Sequence, residues 1–291
     1  SFPLLVPIAH ALVALPFVVR TLQPALASIP ASLRQAAAVM GASPLRVWLA
    51  AAWYLTNQKQ GVSALGLQRV LGLGSYQTAW TMLHRFRRAM VRPGREQLKG
   101  QVEVDETYLA ITDRQTPISP VGRKGKTTKI QIAIAVETQQ PKGFGRIRLR
   151  RINNDSAACV IPFVQDVVEP GAHVHTDGSA AYLTLGELGY THQRTVMLGS
   201  DVPAHVSMAA VHRVAALVQR WILGTHHGSV QPEHLDAYLD EFVFRFNRRT
   251  SNWRGMLFYR LLQQAVATQP VTYAQVASRT KPAKRKTKPK A

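Results

Sequence analysis

The chain has 291 residues, of which 36 are lysine or arginine and 16 are aspartate or glutamate, and its formal net charge is +20. That charge favours a polyanionic partner, and the length is enough to bury a full core in one large domain with extra segments. The single cysteine, Cys159, excludes an intramolecular disulfide and a cysteine-rich zinc site. This cysteine use is compatible with a reducing cytoplasm.

Residues 1–50 differ in composition from the rest of the chain. Phe2–Val19 is almost wholly apolar, contains three prolines, and is barely long enough to span a bilayer. It lacks the basic start and the small-residue cleavage site of a secretory signal. An alanine-rich helix that breaks at Gly41 is predicted between Leu33 and Trp48. One interpretation of the segment is an apolar, amphipathic helical leader.

A second interpretation follows from a local resemblance. Ala36–Gly41 and the preceding Ala14–Arg20 resemble the cytoplasmic loop of the permease subunits of ABC importers, whose Ala-Ala-x-x-x-Gly core docks on the ATPase. No second apolar run of comparable length follows, so transport by this chain alone is not expected. We interpret residues 1–50 as a permease-like fragment fused to a mobile element. A membrane tether is expected only through residues 1–20.

Residues 51–95 have the layout of a helix-turn-helix. Val62–Leu71 is a predicted short helix, Gly72–Ser75 a turn with Ser75 as N-cap, and Tyr76–Met90 a second helix with one apolar and one basic face. Helix, glycine turn and basic helix are typical of a DNA reader. A helical hairpin with a solvated basic face is the alternative. The side chains predicted to contact DNA are Arg85, Arg87 and Arg88.

The following residues predict a mixed sheet with flanking helices. The predicted strands cover 101–109, 129–136, 145–152 and 172–176, a helix capped by Asp155 or Ser156 precedes the last of them, and helices follow near 180–188, 204–223 and 232–248. This order is that of the ribonuclease-H-like α/β fold, which we assign to residues 98–268. The loop between the first two strands is basic and suits a phosphate backbone. Its predicted DNA contacts are Arg123, Lys124 and Lys126.

Two predicted strands carry carboxylates in unusual places. Alternation places Glu103 and Asp105 on one face of the first strand and Glu106 on the other. A buried charge in mid-strand is costly without a partner, and Asp177 ends the fourth strand. The ribonuclease-H-like fold places one aspartate on its first strand and one just after its fourth. A metal site is therefore predicted, although Asp105 could pair with an arginine and Asp177 could serve only the turn before Gly178.

Residues from about 51 to about 268 resemble the insertion-sequence transposases with an ISXO-like DDE domain. The resemblance rests on four motifs, which are Val102–Tyr108, His175–Gly178, Trp221–Gly228 and Glu241–Arg249. It implies cleavage and strand transfer, in which water and then a DNA 3′-hydroxyl attack phosphodiesters at the transposon ends. The implied partners are double-stranded DNA, as terminal repeats and as target, and further copies of the chain on the DNA. The implied location is the cytoplasmic nucleoid.

The resemblance also implies a cofactor, two Mg²⁺ ions for which Mn²⁺ can substitute. Asp105 would bridge both ions, Asp177 would bind one, and a late helix would supply a third ligand. Family members commonly carry Asn or Glu five residues after a histidine and Lys two residues further, but Leu217 and Gln219 stand there in this chain. We predict His212 as the third ligand, although imidazole suits Mg²⁺ poorly and a locally bonded histidine is the alternative. Glu241 is another late carboxylate.

The last predictions concern the end of the chain and the competing functions. Residues 269–291 form a predicted disordered basic tail that adds non-specific DNA affinity. His226 and His227 belong to a loop that either faces the site or is plain surface. Three arginines either contact DNA or lock the strands, and these are Arg245, Arg248 and Arg249. The alternatives to an active transposase are a catalytically inactive DNA-binding remnant, a membrane component of an ABC importer, and another ribonuclease-H-like nuclease.

Overall fold

The computed structural model describes residues 44–92, 94–112, 127–139, 143–196, 207–253 and 255–277. Most of the permease-like fragment lies outside these ranges, as do the predicted DNA contacts Arg123, Lys124 and Lys126. Among the described residues, no helix has both the length and the apolar composition needed to cross a membrane.

The centre of the fold is a five-stranded mixed sheet. Its strands are β1 (Gln101–Thr112), β2 (Thr127–Thr138), β3 (Phe144–Arg151), β4 (His173–Asp177) and β5 (Thr191–Thr195). The strand order is β3-β2-β1-β4-β5, with β1 to β3 antiparallel and with β4 parallel to both β1 and β5. The predicted ribonuclease-H-like fold class is confirmed. The edge strand β5 is an addition that the sequence does not predict, because its residues Thr-His-Gln-Arg-Thr show no apolar alternation.

Helices cover both faces of this sheet. They are α1 (Pro44–Asn57), α2 (Ala64–Leu71), α3 (Tyr76–Ala89), α4 (Ala157–Val167), α5 (Ala209–His226), α6 (Leu235–Phe246), α7 (Gly255–Ala267) and α8 (Tyr273–Ala277). Leu109 and Ile111 of β1 pack in a core with α5 and α6, whereas Val102 and Val104 pack in a second core with α4. Odd-numbered residues of β1 therefore face α5, and even-numbered residues face α4.

The two helices of the predicted helix-turn-helix are present. Ser63 caps α2 by accepting a hydrogen bond from the Gly66 amide at 3.0 Å, and Gly72 ends the helix with a left-handed φ of 63°. Ser75 caps α3 as predicted, accepting from the Gln77 amide at 3.1 Å. The preceding helix α1 runs across the predicted boundary at residue 50, because its Ala51, Ala52 and Leu55 are buried in the same core as α2 and α3.

Two hydrogen bonds join the loop between α1 and α2 to helix α5. Gln60 O accepts from Trp221 Nε1 at 2.8 Å and from Thr225 Oγ1 at 2.7 Å. The neighbouring Gly61 has a φ of 79°, and a Cβ built on it would lie 3.1 Å from both Glu241 Oε1 and Trp221 Nε1. A side chain at Gly61 would therefore strain the left-handed backbone and require its neighbours Glu241 and Trp221 to shift by a few tenths of an ångström.

Replacing Gly61 with alanine is expected to lower the free energy of unfolding by about 1–3 kcal/mol, because the left-handed backbone strain and the crowding add. Gly74→Ala is the matched control, since a Cβ at Gly74 would meet no atom within 4 Å. Urea unfolding of both variants measures the difference. Equal decreases in the free energy of unfolding of the two variants would show that the close approach at Gly61 does not affect stability.

The short helix α8 lies inside the segment predicted as a disordered tail. It packs against α3, where Tyr273 lines an open cleft with Trp48 and Arg85. Residues 278–291, which hold most of the predicted basic tail, lie outside the described residues.

Candidate active site

Asp105 and Asp177 lie near each other on the neighbouring parallel strands β1 and β4. The paired register ends with Glu103 opposite His175, two residues before each aspartate, and Asp177 is close enough for its charge to raise the pKa of Asp105. Paired residues of parallel strands point to the same face, so both carboxylates lie on the α5 side of the sheet. The alternation predicted for β1 is therefore observed, and it brings these two predicted ligands together.

Each of these carboxylates uses one oxygen to fix its own backbone. Oδ1 of Asp105 accepts from the Glu106 amide at 2.8 Å, and Oδ1 of Asp177 accepts from the Ser179 amide at 3.0 Å. Within the described ranges, no donor binds Oδ2 of either residue. Burial raises the pKa of Asp105, and the negative charges of Asp177 and Glu103 raise it further, against the lowering effects of the Glu106 amide and His212. A bound cation would relieve this cost of a buried negative charge.

Glu103 attaches the start of helix α5 to the same strand. Its Oε2 accepts a hydrogen bond from the Val211 amide at 2.9 Å, in the first turn of the helix. The next residue, His212, comes close enough to Asp105 to lower the pKa of that carboxyl. The described residues nevertheless contain no group of three or more His, Cys, Asp or Glu side chains that could hold a metal ion. The fold thus provides a carboxylate pair, and the role of His212 as a third ligand stays a prediction.

Leu217 and Gln219, which stand where a third metal ligand and a lysine are expected, both contact other parts of the fold. Leu217 packs against the apolar core between the sheet and the helices. Gln219 Nε2 donates to Thr107 Oγ1 at 3.0 Å and to the Tyr108 carbonyl at 3.2 Å, so this side chain ties α5 to β1. Neither residue offers a charge to a metal ion or a phosphate.

On the opposite face of β1, Glu106 forms a contact that the sequence does not predict. The hydroxyl of buried Tyr182 donates to Glu106 Oε1, which joins β1 to the 3-10 helix Ala180–Leu185 just after Asp177. Burial raises the pKa of Glu106 to about 7, and the charges of Asp105, Asp177 and Asp155 add to that rise, while the tyrosine hydrogen bond opposes it. This contact lies on the face of β1 opposite Asp105, and it links β1 to the segment that follows Asp177.

Tyr182→Phe is expected to destabilise the fold by about 1–3 kcal/mol, because it leaves a half-buried carboxyl without its donor. Tyr108→Phe is the control, since the Tyr108 side chain is exposed and removal of its hydroxyl should cost little. Chemical unfolding of both variants, together with the parent chain, measures the loss. A Tyr182→Phe variant as stable as the control would contradict a structural role for this hydrogen bond.

The predicted DNA contacts on helix α3 need correction. Arg87 is 1% exposed and its Nε lies 2.8 Å from Glu241 Oε2, so the prediction that it contacts DNA is wrong for the folded chain. Arg85 is half-buried, with its guanidinium 5.8 Å from the ring centroid of Trp48, and Arg88 is exposed. The basic face that the sequence predicts is thus largely an internal packing face.

Glu241 lies in a buried ion-pair cluster, and His226 and His227 lie at the end of helix α5. Glu241 is fully buried between Arg87 and Arg245 and does not lie at the aspartate pair. His226 is the last residue of α5, buried against Trp221 and Tyr238, so the interpretation of it as part of a loop facing the active site is wrong. His227 follows as an exposed cap with a φ of 51°.

The late arginines act within the fold. Arg245 donates to the carbonyls of Leu55 and Gln58, which fixes the end of α1. Arg249 donates to the carbonyls of Phe144 and Gly145 at the start of β3, and Arg248 donates to Phe244 O in the preceding helix α6. Of the two readings that the sequence leaves open, these contacts favour a structural role.

Comparison with known proteins gives one family match. The model of the ISXO2-like transposase domain matches residues 97–247, which is 151 of the 291 residues. No curated protein matches the chain. Similar solved structures include the catalytic core domain of BIV integrase, with 14% identity, 54% of this chain and 87% of that chain covered and a TM-score of 0.32. Another is a pre-cleavage Mos1 transpososome, with 15% identity, 74% of this chain and 77% of that chain covered and a TM-score of 0.29.

Proposed function

The chain belongs to the ISXO2-like transposase domain family, and we propose that Asp105 and Asp177 hold the divalent metal ions with which it cleaves and joins DNA at the ends of an insertion sequence. The observation that carries this assignment is the pair of carboxylates on one face of two parallel strands, close enough for the charge of Asp177 to raise the pKa of Asp105. Each has an oxygen without a described donor, and hard oxygen ligands suit Mg²⁺, with Mn²⁺ as its substitute.

Bound ions would supply Lewis acidity and would orient the attacking water or 3′-hydroxyl and the leaving oxygen in line. The side chains of the protein would determine where these ions lie. Asp105 and Asp177 are fixed through their Oδ1 atoms, and Glu103 holds the first turn of α5 beside them. His212 is the proposed third side chain of the site, and its lowering effect on the pKa of Asp105 supports this assignment.

We propose that the helix-turn-helix reads the terminal repeats through the start of α3. The N-terminal residues of a recognition helix reach the base edges in such motifs. Tyr76, Gln77 and Thr78 are exposed there, whereas Arg87 is buried. Base reading therefore falls to these three residues, and Arg88 is left to contact the phosphate backbone.

A second candidate function is a DNA-binding remnant without catalysis. It is favoured by Leu217, which replaces the expected third ligand, and by the absence of a ready three-residue metal group among the described residues. The proposed permease-like origin of residues 1–50 is independent of both candidates.

Metal removal separates the two functions. The full chain, stripped with EDTA, is mixed with a duplex that carries the element's own ends, and Mg²⁺ or Mn²⁺ is then added. An active transposase produces nicked and joined DNA only after the metal is added. DNA binding without any cleavage under either metal would establish the remnant instead, and cleavage that persists in EDTA would overturn the metal-dependent mechanism.

A further inference from the structure

Two arginines on helix α5 differ from the other described arginines between residues 95 and 260. Ten of these side chains form an ion pair or a hydrogen bond within the protein, namely Arg95, Arg146, Arg148, Arg150, Arg151, Arg194, Arg245, Arg248, Arg249 and Arg260. Arg213 and Arg220 are exposed, and no described residue forms an ion pair or hydrogen bond with either guanidinium. Within the part of the chain that the structure describes, these two cations have no partner.

These two arginines lie on one face of α5. They are seven residues apart, which in a helix means two turns and a separation of about 10 Å along the axis. Ala216 and Gly224 are exposed on the same face, and their small side chains let a partner approach the helix closely. Helix α5 contains no acidic residue in its 18 positions. The face is therefore uniformly positive or neutral, which suits a phosphate backbone.

The two ends of α5 touch the two functional parts of the chain. The Val211 amide binds Glu103 beside Asp105, and Thr225 binds the Gln60 carbonyl next to the helix-turn-helix. The intervening turns span about 20 Å, the length of about six base pairs of duplex DNA. A duplex lying along α5 would reach from the helix-turn-helix to the aspartate pair.

We propose that the outer face of α5 is a phosphate-binding track for the transposon-end duplex, on which Arg220 and then Arg213 contact the backbone on the way to the active site. This inference rests on the proposed function, because it takes the aspartate pair as the place of cleavage. The positive end of the α5 dipole lies at that pair and favours phosphate there.

The test measures binding of a fluorescent duplex to the full chain in EDTA, over a range of salt concentrations. A sequence-independent duplex suffices because phosphate contacts carry no base readout. The double variant Arg213→Ala/Arg220→Ala is expected to reduce the slope of log affinity against log salt by about 2, and the double lysine variant is expected to restore it. Arg260→Ala is the control, because this exposed arginine lies on α7. The track would be overturned if each arginine lost from α5 changed the slope no more than the loss of Arg260 does.

A second variant tests the close approach. Ala216→Glu adds a negative charge between the two arginines and is expected to weaken binding about tenfold at low salt. Ala158→Glu on α4 is the matched control, since Ala158 is also an exposed helical alanine. Equal weakening by both variants would contradict DNA contact at α5. Because neither assay needs cleavage, a failed track is distinguishable from an inactive metal site.

Discussion

Replacing Asp105 or Asp177 with asparagine is expected to reduce metal-dependent cleavage by at least about 10³-fold, since the loss of several kcal/mol of charge stabilisation corresponds to a factor of that size. Asparagine keeps the Oδ1 acceptor that binds the Glu106 or Ser179 amide. The backbone of the site should therefore be retained while the metal-binding charge is lost. Single-turnover cleavage of a transposon-end duplex measures the rate.

Stability distinguishes this loss from misfolding. Burial and neighbouring carboxylates raise the pKa of Asp105, so its ionised form weakens the metal-free fold at neutral pH, and Asp105→Asn should unfold at no lower temperature than the parent chain. Asp166→Asn is the control, because this carboxylate forms an exposed ion pair with Arg150. Asparagine variants that cleave as fast as the control would exclude both aspartates from the site.

The aspartate pair was accessible to sequence reasoning because it depends on local pattern. The alternation in Val102–Leu109 fixes which face Asp105 occupies, and the short strand before Gly178 locates Asp177. Their adjacency needed the fold order, which the family motifs indicate. The structure adds the parallel pairing of β1 with β4, which ends two residues before the aspartates and leaves both carboxylates on the same face of the sheet.

The predictions for Arg87 and His226 were wrong, and the contact of Tyr182 was missed, for one physical reason, which is long-range packing. A helical wheel places Arg87 on the basic face of α3, but its partner Glu241 lies 154 residues away and no local pattern reports that pairing. The same holds for His226, which is buried by aromatic residues of α5 and α6. It also holds for Tyr182, whose partner Glu106 lies 76 residues away in the sequence. Exposure of a charged residue is decided by tertiary contacts, so a basic face is a weak guide to DNA contact.

These long-range contacts also bear on how the parts of the chain work together. Helix α5 touches the candidate active site at its first turn and the loop before α2 at its last. The Glu241 network joins α3 to α6 and to the end of α1. The sequence predicts a boundary between residues 51–95 and residues 98–268, but packing and a buried ion pair connect the segments on either side of it.

The Glu241 network supplies the second large expected effect. Glu241 Oε2 lies 2.8 Å from Arg87 Nε and its Oε1 lies 2.9 Å from Arg245, while Glu241 itself is 0% exposed. Burial alone would raise the pKa of Glu241, but Arg245 and Arg87 outweigh it and lower the pKa to about 2. A lowered carboxyl pKa contributes stability above about pH 4.5, and that contribution is lost as the pH falls towards 2.

Glu241→Gln is expected to lower the free energy of unfolding by about 3–5 kcal/mol, because it leaves Arg87 buried without a countercharge. Glu187→Gln is the control, since Glu187 is exposed in the turn before β5. Urea unfolding at pH 7 measures the loss, and the gap between parent and variant should narrow as the pH is lowered below 4. A loss no larger than that of the control would contradict a stabilising role for the buried ion pair between α3 and α6.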